Sequence, residues 1–210
     1  MKFLTKVLSA VVAMSALTAQ AAIVYNNGGP SNVNGFPIGG AVGGSSTADD
    51  FTIAGNTAVK SVGFYFNNYS GINGWDGQIS YAIHADNGGS MGAVLASGAG
   101  LNVTPVQGGF AWCCGGNTTE LVTFDLQATF NAVGGQTYWL ELGGAGGPSP
   151  WWVTTSGVTG NSSVIGASQW GIDAAFYLDG DRGQTVPEPA SLALVGVSLL
   201  GVAAARRRKQ

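Results

Sequence analysis

The chain has few charged residues, one histidine and two cysteines, and these shortages exclude several kinds of catalytic and metal site. Charged residues make up 9% of the sequence. A catalytic triad needs a histidine oriented by a carboxylate, yet the alternation around His84 predicts an outward-facing, surface position, and no nucleophile-elbow motif is present. One histidine and two adjacent cysteines also cannot build a closed zinc site.

Basic residues are scarce between the two ends of the chain. Of the eight lysines and arginines, only Lys60 and Arg182 lie in residues 22–185, which hold ten of the eleven acids. Two basic residues against ten acids give this segment a net charge of −8. Such a surface repels nucleic acid and anionic lipid, so we expect neither as a partner. It suits divalent cations and neutral or cationic polymers, and it also serves solubility.

The pattern of apolar residues predicts an all-β fold. Glycine is abundant, at 35 residues, but has no three-residue period, which excludes collagen, and the 10% of aromatic residues argues against disorder. Period-two alternation places Tyr81 and Ile83 inward and His84 outward, and places Trp139 and Glu141 on one face. We predict one two-sheet sandwich, of jelly-roll type, over residues 22–185. The predicted strands are 22–25, 50–54, 59–67, 78–85, 94–97, 101–103, 120–126, 137–142, 151–155 and 169–178.

The last 25 residues combine a Pro-Glu-Pro turn, an apolar run and a basic tail. Residues 190–205 are uncharged and would reach ~24 Å as a helix, short of the ~30 Å hydrocarbon core. The tail 206–210 can extend to the membrane interface and should stay cytoplasmic, which predicts a short transmembrane helix. A weak tail anchor and a buried core helix are the alternatives. The basic cluster consists of Arg206, Arg207, Arg208 and Lys209.

This order of elements resembles the PEP-CTERM sorting signal of Gram-negative envelope proteins, with Pro187, Glu188 and Pro189 matching its motif. The resemblance implies processing by exosortase, an integral-membrane enzyme, and a setting of exopolysaccharide production and biofilm. The segments Ala48–Thr52 and Gly135–Leu140 are similar to strand motifs of β-sandwich cargo domains that carry this signal. The likeness at 186–210 bears on trafficking and implies no activity.

The start of the chain has the features of a secretory signal peptide. Lys2 and Lys6 precede the apolar run 7–17, and Ala19-Gln20-Ala21 supplies small residues before a cut at Ala22. A permanent N-terminal membrane helix is the alternative. We therefore predict a signal peptide over 1–21, an inner-membrane-anchored precursor, and a final location at the cell surface or outside the cell.

Exposed tryptophans are the sequence's main argument for ligand binding. Indole faces stack on sugar rings, and four tryptophans lie in or beside glycine-rich segments, so we predict a glycan site. Capping the ends of the core is the alternative role. These candidates are Trp75, Trp112, Trp151 and Trp152.

Acidic turns and a cysteine pair are further candidates. Oxygen ligands beside glycines suit calcium, although the same residues are common in plain turns. Adjacent Cys113 and Cys114 predict a strained vicinal disulfide, with free thiols or intermolecular bridges as alternatives. The candidate calcium ligands are Asp49, Asp50, Asp86, Asp179 and Asp181.

Three functions follow from these patterns. We expect a non-enzymatic surface protein of the exopolysaccharide matrix. The alternatives are a secreted carbohydrate-active hydrolase using Glu120 and Glu141, on strands that could pair, and a structural layer with no discrete ligand.

Overall fold

Strands dominate the computed structural model of the chain, which describes residues 22–43, 46–68, 74–112, 118–146, 150–157, 159–165 and 168–182. The predicted signal peptide and the predicted C-terminal helix lie outside these residues. In chain order the strands are β1 (Ala22–Asn26), β2 (Gly35–Pro37), β3 (Thr47–Thr52), β4 (Thr57–Asn67), β5 (Ser80–Asp86), β6 (Met91–Ala99), β7 (Leu101–Ala111), β8 (Thr118–Ala132), β9 (Thr137–Gly143), β10 (Trp151–Val153), β11 (Val164–Ile165), β12 (Ser168–Gln169) and β13 (Phe176–Arg182).

The strands form two antiparallel sheets, which confirms the predicted all-β, two-sheet fold. In sheet A, β4 is central: β8 and then β7 lie on one side, and β13 and then β1 on the other. β10 pairs with the end of β4 and carries β2 beyond it. Sheet B has the order β12-β11-β3-β9-β5-β6.

The main core lies between the two sheets and is built by the alternation that the sequence predicts. Side chains that alternate along a strand point to one face, so period-two apolar residues line the interior. They include Val62, Phe64 and Phe66 of β4, Tyr81 and Ile83 of β5, Val122, Phe124 and Leu126 of β8, and Tyr138, Leu140 and Leu142 of β9.

The outer face of sheet B is also buried at its central strands β3, β9 and β5, which corrects the predicted surface position of His84. His84 does lie on the outward face of β5, but it is only 6% exposed. Ala48, Trp139 and Val164 form a second, small cluster on this face. Residues 159–165 and the β5–β6 turn lie over it, as shown by the hydrogen bonds from Asn161 to Asp50 and from Trp139 to Asp86.

The strand predicted over 169–178 is wrong in its middle. It divides into β12 and β13, and the chain between them turns at Gly171. Gly171 has a φ of +70°, a backbone angle that residues with a Cβ atom rarely adopt. Asp173 follows and is fully buried, and its backbone carbonyl accepts a hydrogen bond from the Thr155 N–H at the isolated antiparallel bridge between Thr154 and Ala174. Among the described residues, no helix is long and apolar enough to span a membrane.

Candidate functional site

A groove of about 580 Å³ opens at one end of the sandwich, where the segment before β2, the segment after β10 and the turn before β13 meet. Its walls carry hydroxyl, amide and apolar groups, and none of its lining residues is charged. The lining consists of Ser31, Val33, Asn34, Thr154, Thr155, Ser156, Gly157, Gly171 and Ile172.

Hydrogen bonds between the two walls fix the groove. The Ser31 N–H donates to the Thr154 carbonyl over 2.7 Å, and the two hydroxyls of these residues are 2.8 Å apart. The Thr154 N–H and hydroxyl both donate to the Asn34 carbonyl, over 3.0 and 3.1 Å. Because these bonds hold the backbone on both sides, the polar lining is pre-organised for a ligand.

Trp170 is an exposed tryptophan in the chain segment that leads into this groove. It directly precedes the lining residue Gly171 and is 55% exposed. Its backbone N–H donates to the Ser163 carbonyl over 3.0 Å, and its ring meets the buried Phe36 ring edge-on, with centroids 6.4 Å apart. The indole is thus held at one side and open to solvent at the other.

The tryptophans singled out from the sequence are less accessible than Trp170. Trp152 is fully buried, and its indole N–H donates to the Ala175 carbonyl, so it is a core residue and not an exposed platform. Trp75 stacks on Phe66 with ring centroids 4.5 Å apart. Trp112 and Trp151 are partly buried. Sequence reasoning missed Trp170, although the glycine that follows it is the signal used for the others.

A pair of buried carboxylates lies between the sheets, close to the groove. Asp49 points inward from β3 and is fully buried. Its Oδ2 accepts the Asn27 side-chain amide over 3.0 Å and the Ala174 N–H over 2.6 Å, and its Oδ1 accepts the Asp50 N–H over 2.9 Å. Asp173 precedes Ala174, and its Oδ2 accepts the Thr159 N–H.

Burial raises the pKa of both carboxyl groups. The pKa of Asp49 lies well above its usual value, first because of burial and then because of the nearby Asp173. Burial raises the pKa of Asp173 to about 6. Burial and then Asp49 raise the pKa of the neighbouring Tyr25. These groups therefore share an environment that disfavours negative charge.

Glu141 is the centre of a separate buried network on the outer face of sheet B. Its Oε1 accepts hydrogen bonds from the Gly43 N–H, over 2.7 Å, and from the Ser46 hydroxyl. Its Oε2 lies 2.8 Å from His84 Nε2, and His84 Nδ1 lies 3.2 Å from the Gly92 carbonyl. Glu141 is 1% exposed, so the network closes the carboxylate off from a substrate.

The strands that carry Glu120 and Glu141 could have paired, but they lie in different sheets. Glu120 lies on β8, which pairs with β4 and β7 in sheet A. Glu141 lies on β9, which pairs with β3 and β5 in sheet B. The two carboxylates therefore do not flank one cleft in the way that a glycosidase requires.

The candidate calcium ligands do not form one site. Asp49 faces the core, whereas Asp50 faces the opposite side of β3 and accepts hydrogen bonds from Asn161. Asp86 accepts a hydrogen bond from the Trp139 indole N–H. Asp179 and Asp181 lie on β13 in the other sheet, where Asp181 forms an ion pair with Lys60. Over the described residues there is no group of three histidine, cysteine, aspartate or glutamate side chains arranged for a metal.

The remaining predicted site residues lie outside the described part of the chain. They are the cysteine pair Cys113 and Cys114, the motif Pro187, Glu188 and Pro189, and the basic cluster of residues 206–209.

Comparison with protein families finds the PEP-CTERM protein-sorting motif at residues 185–209. The motif coincides with the Pro-Glu-Pro turn, the apolar run and the basic residues, so the resemblance noted in the sequence is confirmed there. Neither the curated proteins nor the solved structures contained a match to this chain. The motif implies an exported protein that is sorted and processed by exosortase, and the two-sheet domain that precedes it fits a cargo domain.

Proposed function

We propose that the cargo domain is a non-enzymatic, glycan-binding module of the exopolysaccharide or biofilm matrix. The chain is anchored in the inner membrane by residues 190–205 until exosortase acts at Pro187–Pro189, and it then reaches the cell surface or the extracellular space. The observation that carries the binding proposal is the exposed indole of Trp170, the residue before Gly171, which lines a groove of hydroxyl and amide groups.

The chemistry of the groove favours a neutral sugar. An indole face covers the apolar face of a pyranose ring, while hydroxyl and amide side chains exchange hydrogen bonds with its hydroxyl groups. Lysine and arginine are absent from the lining, so the groove has no group to pair with an acidic sugar. Its volume of about 580 Å³ lies within the range of small-ligand sites.

The hydrolase alternative has no support in the geometry. A retaining or inverting glycosidase needs two carboxyl groups facing the same glycosidic bond. Glu141 is enclosed by its own network, and Glu120 belongs to the other sheet. We therefore retain one function, ligand binding without turnover.

The direct test is binding of the purified full chain, kept in mild detergent, to a panel of neutral and acidic polysaccharides. We expect saturable binding to a neutral polymer. Trp170→Ala should weaken it by about 2 kcal/mol, which is about thirtyfold in Kd, because tryptophan anchors commonly contribute this much to a binding site. Trp170→Phe should retain part of the affinity, since a ring remains.

Leu95→Ala is the matched control, because Leu95 is a comparably exposed apolar residue, at 50%, on β6. The Leu95→Ala variant should bind the polysaccharide with the same affinity as the wild type. Equal loss in both variants, or binding restricted to acidic polymers, would contradict the assignment of the groove. Release of reducing sugar by the wild type would contradict the non-enzymatic role.

A further inference from the structure

Two fully buried oxygen atoms near Asp49 have no hydrogen-bond partner within the described ranges. They are Asp173 Oδ1 and Ser163 Oγ, and both residues are 0% exposed. A buried polar atom without a partner costs about 1–3 kcal/mol, so each of these two atoms requires an explanation. A bound ligand with affinity for oxygen would satisfy both.

The strand register places Ser163 beside Asp49. Val164 of β11 lies opposite Ala48 of β3, so extending the antiparallel register by one residue puts Ser163 opposite Asp49. Residues that lie opposite each other in a sheet project to the same face. Ala48 and Val164 both belong to the cluster on the outer face. Because side chains alternate along a strand, the neighbouring residues Asp49 and Ser163 both face inward. The Ser163 N–H also donates to the carbonyl of Ile172, the residue before Asp173.

Asp49 retains capacity for one more partner. An ionised carboxylate offers about four lone-pair positions. The Asn27 amide and the Ala174 N–H occupy Oδ2, and the Asp50 N–H occupies one position on Oδ1. One position on Asp49 Oδ1 and the whole of Asp173 Oδ1 are therefore open.

No positive side chain compensates this pair. The ion pairs found over the described residues are Lys60–Asp181 and His84–Glu141, and neither involves Asp49 or Asp173. A buried carboxylate is stable when it is paired, bound to a metal or protonated. Asp49 and Asp173 have no such ion-pair partner, so either a bound metal ion or a proton must stabilise them.

We propose that Asp49, Asp173 and Ser163 form a calcium site between the sheets, next to the groove. Calcium is a hard cation that takes carboxylate, hydroxyl, carbonyl and water oxygens in irregular arrangements, whereas magnesium demands near-octahedral geometry. Two carboxylates would balance its charge, and the neutral hydroxyl would complete part of the shell. The site is independent of the proposed glycan binding, because it rests on a different set of atoms.

The test is calorimetric titration of calcium chloride into the full chain after removal of metal by chelator. We expect one saturable site, with a Kd on the order of 10⁻⁴–10⁻³ M, typical of extracellular calcium modules. Asp173→Asn should lower the affinity at least tenfold, and Ser163→Ala should lower it severalfold. Asp125→Asn, which removes an exposed acid on β8, should leave the affinity unchanged.

Circular dichroism of each variant verifies that it folds, and the wild-type melting temperature in calcium and in chelator gives a measurement that needs no variant. A rise of the melting temperature with calcium, absent with equal magnesium, supports the site. No saturable heat in the folded wild type, or an unchanged affinity in Asp173→Asn, would overturn it. Stabilisation by acid in a wild-type protein that shows no calcium binding would assign the pair a shared proton and would also overturn the proposal.

Discussion

Two buried carboxylate sites lie on opposite faces of sheet B, and they differ in how their charge is satisfied. On the outer face, both oxygens of Glu141 have donors, and His84 supplies a partner that forms an ion pair when it is protonated. On the inner face, Asp49 and Asp173 have no cationic partner, and Asp173 Oδ1 has no donor within the described residues. The first site is closed, whereas the second is chemically incomplete.

This contrast separates a structural role from a binding role. A buried charge with all its hydrogen bonds made holds neighbouring segments together, here β9, β5 and the loop that carries Gly43 and Ser46. A buried charge with open oxygens destabilises the free protein and gives binding energy to a ligand that completes it. Opposite responses to substitution should therefore distinguish the two sites.

The largest effect is expected at Glu141. Glu141→Ala leaves the Gly43 N–H, the Ser46 hydroxyl and His84 Nε2 without their acceptor, and breaking a buried pair costs about 3–5 kcal/mol. Asp173→Asn, measured in chelator, should instead preserve or raise the free energy of unfolding, because it removes an uncompensated charge. Urea denaturation of both variants measures the difference. A large destabilisation by Asp173→Asn in chelator would show that its carboxylate is satisfied, and the contrast would fail.

Two buried serines give a matched comparison in which the expected change in the free energy of unfolding is smaller. Ser46 is 1% exposed and donates to Glu141, whereas Ser163 is 0% exposed and has no partner within the described ranges. Hydrogen bonds to charged groups contribute about 1.5–3 kcal/mol, so Ser46→Ala should cost about 2 kcal/mol. Ser163→Ala should be nearly neutral in chelator. Thermal or urea unfolding compares the two, and equal losses would remove the distinction.

The smallest expected effect is a dependence of the free energy of unfolding on pH, measured in chelator. Burial raises the pKa of Asp173 from 3.8 to about 6. Between these pH values the Asp173 carboxyl is protonated in the folded state and ionised in the unfolded state. The contribution of Asp173 to stability is therefore greatest at low pH and is lost as pH rises from 3.8 to about 6. Urea midpoints across this range should fall less in Asp173→Asn than in the wild type. Identical profiles would exclude Asp173 as the source.

Much of the fold was predictable because it depends on local alternation. β4, β5, β8 and β9 place their apolar residues inward as their period-two patterns indicate. The burial of the outer face of sheet B was not predictable, since it depends on residues 159–165 folding back over Trp139, a contact distant in sequence. His84 and Glu141 were therefore placed on the correct face but not recognised as buried.

The candidate sites were predictable only in part, for the same reason. The PEP-CTERM motif is contiguous, so the sequence alone locates it. The groove and the acid pair combine residues from near 30, 50, 160 and 173, and only the register of β3 and β11 relates Ser163 to Asp49. Neither Asp173 nor Trp170 was predicted as a site residue, because both lie within residues 169–178, which were predicted as a strand.

The most direct measurement is a crystal structure of the protein grown with calcium and recorded at a wavelength that reveals its anomalous signal. We expect one peak between Asp49 Oδ1, Asp173 Oδ1 and Ser163 Oγ, with oxygens at about 2.3–2.6 Å, and none near Glu141. A water or a direct Ser163–Asp173 hydrogen bond at this place, with no anomalous peak, would contradict it.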